Sequence, residues 1–262
     1  MASIPPALID FQNVSVMRGN RVALDRITLR IAQGEHVAIL GPNGCGKSTL
    51  IKTIARECYP LVQAGSGIRI MGRQTWNIFE LRSMLGIVSN DLSDTFRREI
   101  TGREVVLSGF FSSVGVWSNH HVTPEMEKKA DKALARLEVT HLADRPTTEM
   151  SSGEARRVLL ARALAHEPMA LLFDEPSTSL DLLAQRELQL VMGKLAQEGI
   201  SILLVTHHLN DIIPEIERVV LMERGGIAAD GNKAEILTSE RLSRIFGLAV
   251  EVKMRNGHYH LW

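Results

Sequence analysis

The run Gly41-Pro42-Asn43-Gly44-Cys45-Gly46-Lys47-Ser48-Thr49 constrains the fold more than any other stretch of this chain. It matches G-x-x-x-x-G-K-[ST], a pattern that works only when a strand delivers the chain into the loop and a helix carries it away. Val37-Ala38-Ile39-Leu40 before it is a short apolar run, and Leu50-Ile51-Lys52-Thr53-Ile54-Ala55 after it has helical spacing, so that context is present. Glycines 41, 44 and 46 let the backbone aim its N–H groups at phosphate oxygens, and the helix N-terminus adds a positive dipole end. Lys47 is placed to reach the β- and γ-phosphates, Ser48 to offer Mg²⁺ a hard hydroxyl oxygen, and Thr49 to support the α-phosphate side. Pro42, Asn43 and Cys45 complete the loop, and the implied ligand is a nucleoside triphosphate.

Composition narrows what such a loop can serve. With 262 residues, 45% of them hydrophobic, the chain is long enough for a well-buried α/β core. Thirty basic residues balance thirty acidic ones, which argues against a chain built to grip nucleic acid through a basic face. The N-terminus has no charged-then-apolar leader, and no run approaches the ~18 apolar residues of a membrane span. A soluble, cytoplasmic chain is expected. Cys45 and Cys58 are too few for a disulfide framework, in keeping with a reducing compartment.

Along the chain, residues 8–18 and 21–33 read as two strands joined by a turn at Arg18-Gly19-Asn20, forming an antiparallel flank. Ile68 to Gly72 and Leu85 to Val88 read as further strands. From Asp91 to Met150 helical spacing takes over, with Met126, Ala130, Ala133, Leu134 and Leu137 on one face of a charged segment. The aromatic stretch Phe110 to Trp117 within it is expected to be partly exposed, as a surface for a partner. After Ser151, helices alternate with apolar strands at Met169 to Phe173 and Ile202 to Val205, the rhythm of a mostly parallel sheet. Val250 to Met254 and His258 to Trp262, around Asn256-Gly257, read as a terminal hairpin whose His258 and His260 share a face, an ordinary edge strand before a metal pair.

Three further groups carry chemistry. The strand Ala170-Leu171-Leu172-Phe173 ends in Asp174, placed to hold magnesium through water, and Glu175, placed to orient or deprotonate an attacking water. Thirty-three positions after Asp174, the next apolar strand ends in Thr206-His207-His208, which puts His207 in reach of a γ-phosphate. Upstream, Ser151-Ser152-Gly153-Glu154 is an S-x-x-E capping box ahead of a helix running through Ala165.

Taken in this order, the phosphate loop, Ser151-Ser152-Gly153-Glu154, Phe173-Asp174-Glu175, Ser179-Leu180-Asp181 and His207 resemble the motif set of the ATP-binding cassette (ABC) family over nearly the whole chain. The resemblance implies a P-loop NTPase core of residues 1–89 and 151–262, with a mostly parallel sheet, an N-terminal antiparallel β flank and an inserted α-helical subdomain over 91–150. It implies ATP and Mg²⁺ as ligands and two copies packed head to tail. Ser151 and Gly153 of one copy then cap the γ-phosphate held by Lys47 of the other, with Asp181 in the D-loop nearby. Four positions depart from the family. Arg18 stands where an aromatic residue stacks on adenine, and a guanidinium plane can take that place. Asn90 replaces a longer glutamine that contacts magnesium or the attacking water, and the signature reads Ser-Ser-Gly-Glu in place of Ser-Gly-Gly-Gln.

The resemblance points to the ATPase subunit of a transporter, working with a separately encoded membrane permease at the inner face of the membrane. Val105 to Phe110 and the stretch from Gly226 to Leu237 look like those of importers of iron chelates, cobalamin or molybdate. The alternative is a soluble ATPase of the same family acting on a ribosome, DNA or an assembly scaffold; direct nucleic-acid binding is not expected on the transporter reading.

Overall fold

The computed structural model describes residues 6–89 and 99–262. They divide into two compact units, one through Asn77 together with Ser201–Trp262, the other Ile78–Ile200.

In the first unit, strand β1 (Ala7–Arg18) pairs antiparallel with β2 (Arg21–Ala32). Gly19, at a φ of 57°, makes the tight turn between them. The alternation Leu24, Ile27, Leu29, Ile31 on β2 buries one face and leaves polar residues on the other, the pattern of a half-covered antiparallel sheet. Strand β3 (Val37–Leu40) is buried at every position and leads into helix α1 (Lys47–Ile54). Strand β4 (Gly67–Ile70) then adds to β1, giving a sheet in the order β2-β1-β4.

The second unit begins with α2 (Ile78–Met84) and β5 (Leu85–Ser89). It continues through α3 (Gly102–Ser108), α4 (Pro124–Arg136) and α5 (Ser152–Leu164), then β6 (Ala170–Asp174) and α6 (Leu182–Gln197). Strands β5 and β6 run parallel, with Ser89 level with Asp174. The expected apolar face of the charged segment is present on α4, where Ala130, Ala133 and Leu134 are buried. The aromatic stretch packs in part against histidines: Phe111 stacks on His120 at 4.1 Å, Phe110 meets His166 edge-on at 4.7 Å, and Trp117 remains 50% exposed. The described part of the 91–150 segment lies in this unit together with α2, β5, α5, β6 and α6, so the compact units part at 77 and 200.

The chain returns to the first unit through β7 (Ser201–Thr206), β8 (Arg218–Glu223) and β9 (Gly226–Asn232). Strands β7, β3 and β8 are parallel neighbours, and β9 closes that edge antiparallel to β8. Two short helices, α7 (Lys233–Ile236) and α8 (Ser239–Phe246), precede the terminal hairpin of β10 (Val252–Arg255) and β11 (His258–Leu261). Asn256 and Gly257 both take positive φ, 52° and 79°, as the expected turn requires. His258 and His260 both lie on β11, His258 level with Arg255 and His260 level with Lys253.

His36, just before β3, fastens the start of β7: its Nδ1 accepts the backbone N–H of Ile202 at 3.2 Å. That bond needs the neutral ring. Burial lowers the His36 pKa, opposed more weakly by Glu215 and Glu35. A folded-state value below the unfolded one means that the unfolded chain takes up the proton first as pH falls. Stability is therefore expected to drop between about pH 7 and pH 5, around the ordinary histidine value. Urea unfolding of the wild type and of His36→Gln checks this, the variant showing the shallower pH dependence.

Candidate active site

The phosphate loop is built by close approach of three backbone segments in the first unit. Gly41 leaves the end of β3 so near β8 that a Cβ there would lie 2.4 Å from the Met222 carbonyl oxygen. Gly46 takes a φ of 108° and lies over β2, where a Cβ would come within 2.5 Å of the Ala23 carbonyl oxygen. No side chain other than glycine's fits either contact. The turn after β8 closes the third side, its Gly225 N–H donating to the Cys45 carbonyl at 2.9 Å.

This scaffold presents an anion site. Gly46 is the N-cap of α1 and offers no side-chain oxygen, and the first turn of the helix carries no acidic residue. The start of α1 thus has neither a side-chain cap nor a nearby carboxylate to oppose an anion at the positive end of its dipole. Lys47 is 4% exposed, and its Nζ donates to the carbonyls of Gly41 at 2.8 Å and Pro42 at 3.2 Å. The loop's own carbonyls thereby hold its ammonium over the cradle. Asn43, Gly44 and Ser48 are exposed, while Cys45 is buried beneath the loop.

Two other predicted residues belong to the same unit. Leu40 and Thr206 are register partners on β3 and β7, so Gly41 and His207 leave adjacent strands side by side. Thr206 sets the geometry there: its buried hydroxyl donates to Asp211 Oδ2 at 2.5 Å and accepts the His208 N–H at 3.0 Å. The His207 and His208 rings lie 3.8 Å apart. Arg18, at the tip of the β1–β2 hairpin, is exposed, and its Nη1 donates to the Cys58 sulfur at 3.2 Å.

The second unit carries the remaining predicted groups. Asp174 is the last residue of β6, and Glu175 follows at a φ of 49°, a left-handed conformation uncommon outside glycine. Pro176 comes next and further restricts the backbone of Glu175. Such a conformation, held against its cost, is typical of reacting groups.

Ser151 is the N-cap of α5, and the expected capping box is complete: the Glu154 N–H donates to Ser151 Oγ at 3.2 Å, and the Ser151 N–H to Glu154 Oε2 at 2.8 Å. The backbone N–H of Ser151 is the main reason that the Glu154 carboxyl titrates below its ordinary range, with Arg145 adding to it. A box of this kind is worth about 1 kcal/mol with either glutamate or glutamine; what the charge of Glu154 adds is its pair with Arg145 Nη1 at 3.2 Å. Gly153 brings α5 against α6, where a Cβ would meet that of Ala184 at 2.9 Å. Asp181 caps α6, its Oδ1 accepting the Ala184 N–H at 2.8 Å. Asn90 lies outside the described residues.

Sequence reasoning passed over Ala23, Met222 and Gly225, which shape the loop through backbone atoms, and Cys58, which meets Arg18 through its sulfur. None belongs to a motif: backbone contacts leave no residue-type signal, and the Cys58 side chain meets its partner forty positions away in the chain.

The family model for ABC transporters matches residues 24–178 of the chain. The chain belongs to the ABC transporter family. This cassette is 34% identical over 237 residues to the hemin import ATP-binding protein HmuV of Nocardia farcinica, covering 88% of this chain and 78% of that protein. It superposes with a TM-score of 0.75 and 28% identity on cbiO1 of Clostridium perfringens, part of the ABC transporter complex cbiONQ, covering 91% of this chain and 94% of that one. A dimeric ATP-binding cassette in a post-hydrolysis state with ADP and Pi is similar at 27% identity and a TM-score of 0.69, over 86% of this chain and 98% of that one. The cassette is thus an ATP-binding subunit of an ABC transporter and an ATPase. Among the described residues, none of its helices is long and apolar enough to cross a membrane.

Proposed function

We propose that this ABC subunit drives import of a metal chelate, of the class to which hemin belongs, by closing on ATP as a head-to-tail pair beneath a separately encoded permease. The observation that carries the reading is the phosphate cradle: an α1 N-terminus without a side-chain cap, with the buried Lys47 ammonium held over it. The import direction and the cargo class rest on the similarity to the hemin importer subunit.

In this reading the loop from Gly41 to Thr49 holds the triphosphate and Arg18 stacks on the base. His207 contacts the γ-phosphate and Glu175 deprotonates the attacking water. Ser151 and Gly153 of the second copy cover the γ-phosphate, a helix N-terminus meeting an anion, and Asp181 lies along the shared seam. The Ser48 hydroxyl and the Asp174 carboxylate are hard oxygen donors suited to Mg²⁺, with Asn90 a further donor. Two or three protein oxygens suffice, since this ion keeps several waters and takes phosphate oxygens. When bound, it supplies charge neutralisation of the β- and γ-phosphates.

The described part of the 91–150 segment receives the permease, through the half-exposed aromatic stretch ending at Trp117, and places the subunit peripherally at the inner face of the membrane. Co-expression with a chelate permease that captures the subunit in a pull-down tests the reading. Recovery of the subunit from the membrane fraction, with ATP turnover raised by the chelate-loaded transporter, is expected. Recovery only with ribosomes or other soluble partners would reject it.

A further inference from the structure

We infer that Cys58 is a positioning residue for nucleotide recognition, locking the Arg18 guanidinium into the plane on which the base stacks. The inference rests on the reading of Arg18 as the base platform, and it adds what makes an arginine able to serve there.

An aromatic ring is a stiff platform with two side-chain torsions, whereas arginine is a long chain that loses far more rotamer freedom when fixed. On an exposed hairpin tip a lone arginine is a poor surface for a base. Here its Nη1 is tied to the Cys58 sulfur at 3.2 Å, and among the described residues the guanidinium has no other hydrogen-bond or ion-pair partner. A neutral thiol suits the task. It fixes one edge of the fork and leaves the positive charge for the base and triphosphate, where a carboxylate partner would neutralise it.

The sulfur is itself well anchored. Cys58 is 6% exposed, and its N–H donates to the Lys52 carbonyl at 3.0 Å, beside the Glu57 N–H on the same oxygen at 2.8 Å. A left-handed Arg56, at a φ of 59°, makes the reversal that brings the chain there. Cys58 therefore belongs to the C-terminal closure of α1, the helix whose N-terminus is the phosphate cradle. The other end of the connection is as firm: Arg18 pairs with Arg21 on β2, and two residues on, Ala23 lies directly under Gly46. Base platform and phosphate cradle are thus joined through both ends of one helix, and Cys58 is the joint at the base end.

Isothermal titration with ATP and with inorganic tripolyphosphate, a probe that has no base, tests this. Cys58→Ala is expected to weaken ATP binding about five-fold, a part of what a full base stack supplies, and to leave tripolyphosphate binding unchanged. Cys58→Ser, which keeps an acceptor at the same place, should restore most of the ATP affinity. In an Arg18→Tyr background, where the platform is a ring, Cys58→Ala should change neither ligand.

Unchanged ATP affinity in Cys58→Ala, or an equal loss for both ligands, would overturn the inference while the Arg18 reading stands, provided that Arg18→Ala weakens ATP. An Arg18→Ala variant that binds ATP as well as the wild type would overturn the platform reading and the inference together.

Discussion

Glu175→Gln is expected to lower ATP turnover by at least about 100-fold, the range for loss of a general base, while ATP still binds. The side chain leaves the end of β6 in a left-handed backbone conformation at a φ of 49°, between the fully buried Phe173 two residues earlier and Pro176. Glutamine has the same length and meets the same backbone cost, so the substitution removes basicity and leaves the conformation and the fold. With hydrolysis blocked, the closed state has no exit. ATP-dependent dimer should accumulate, to be seen as a stable doubling of mass by gel filtration with light scattering in the presence of ATP. Turnover equal to the wild type would reject Glu175 as the base.

The second large effect is expected from Lys47→Ala, and it should fall on binding. The ammonium donates to the carbonyls of Gly41 and Pro42 inside the loop. Removing it withdraws the charge that faces the phosphates and leaves those two oxygens, both repelling anions, without that donor. Hydrogen bonds to charged groups contribute about 1.5–3 kcal/mol each, so a loss of roughly 10- to 100-fold in ATP affinity is expected from one such contact. Turnover should fall to background with it. The two variants separate the site into its parts: Glu175→Gln binds and does not hydrolyse, whereas Lys47→Ala does not hold the nucleotide. An affinity within about two-fold of the wild type for Lys47→Ala would place the phosphates elsewhere.

How far the residues alone could lead is best seen element by element. The strand before Gly41 and the helix after it were legible because a buried four-residue run and a 3.6-residue period are local properties, and β3 and α1 follow them. The capping box at Ser151 was legible for the same reason, since both of its hydrogen bonds lie within four residues. The turns at Gly19 and at Asn256-Gly257 follow from residues that accept positive φ. Less legible was the local work of residues read only for the nucleotide: Asp181 gives an oxygen to a helix cap, and Gly153 lets two helices touch. A motif position can serve packing and ligand at once, and spacing along the chain does not separate the two.

By itself the sequence determined what this protein handles. A glycine-rich loop between strand and helix, a strand ending in Asp174-Glu175, another ending before His207 and a capped Ser151 specify phosphoryl chemistry of the ABC kind, because each depends on residue type at short range. Only the tertiary structure decided how the phosphate loop is held and what secures Arg18. Ala23, Met222 and Gly225 act on the loop through backbone atoms, from segments far from it in the chain. Cys58 meets Arg18 across forty positions. Contacts of that kind are set by how strands and helices pack, and no local pattern of side chains encodes them.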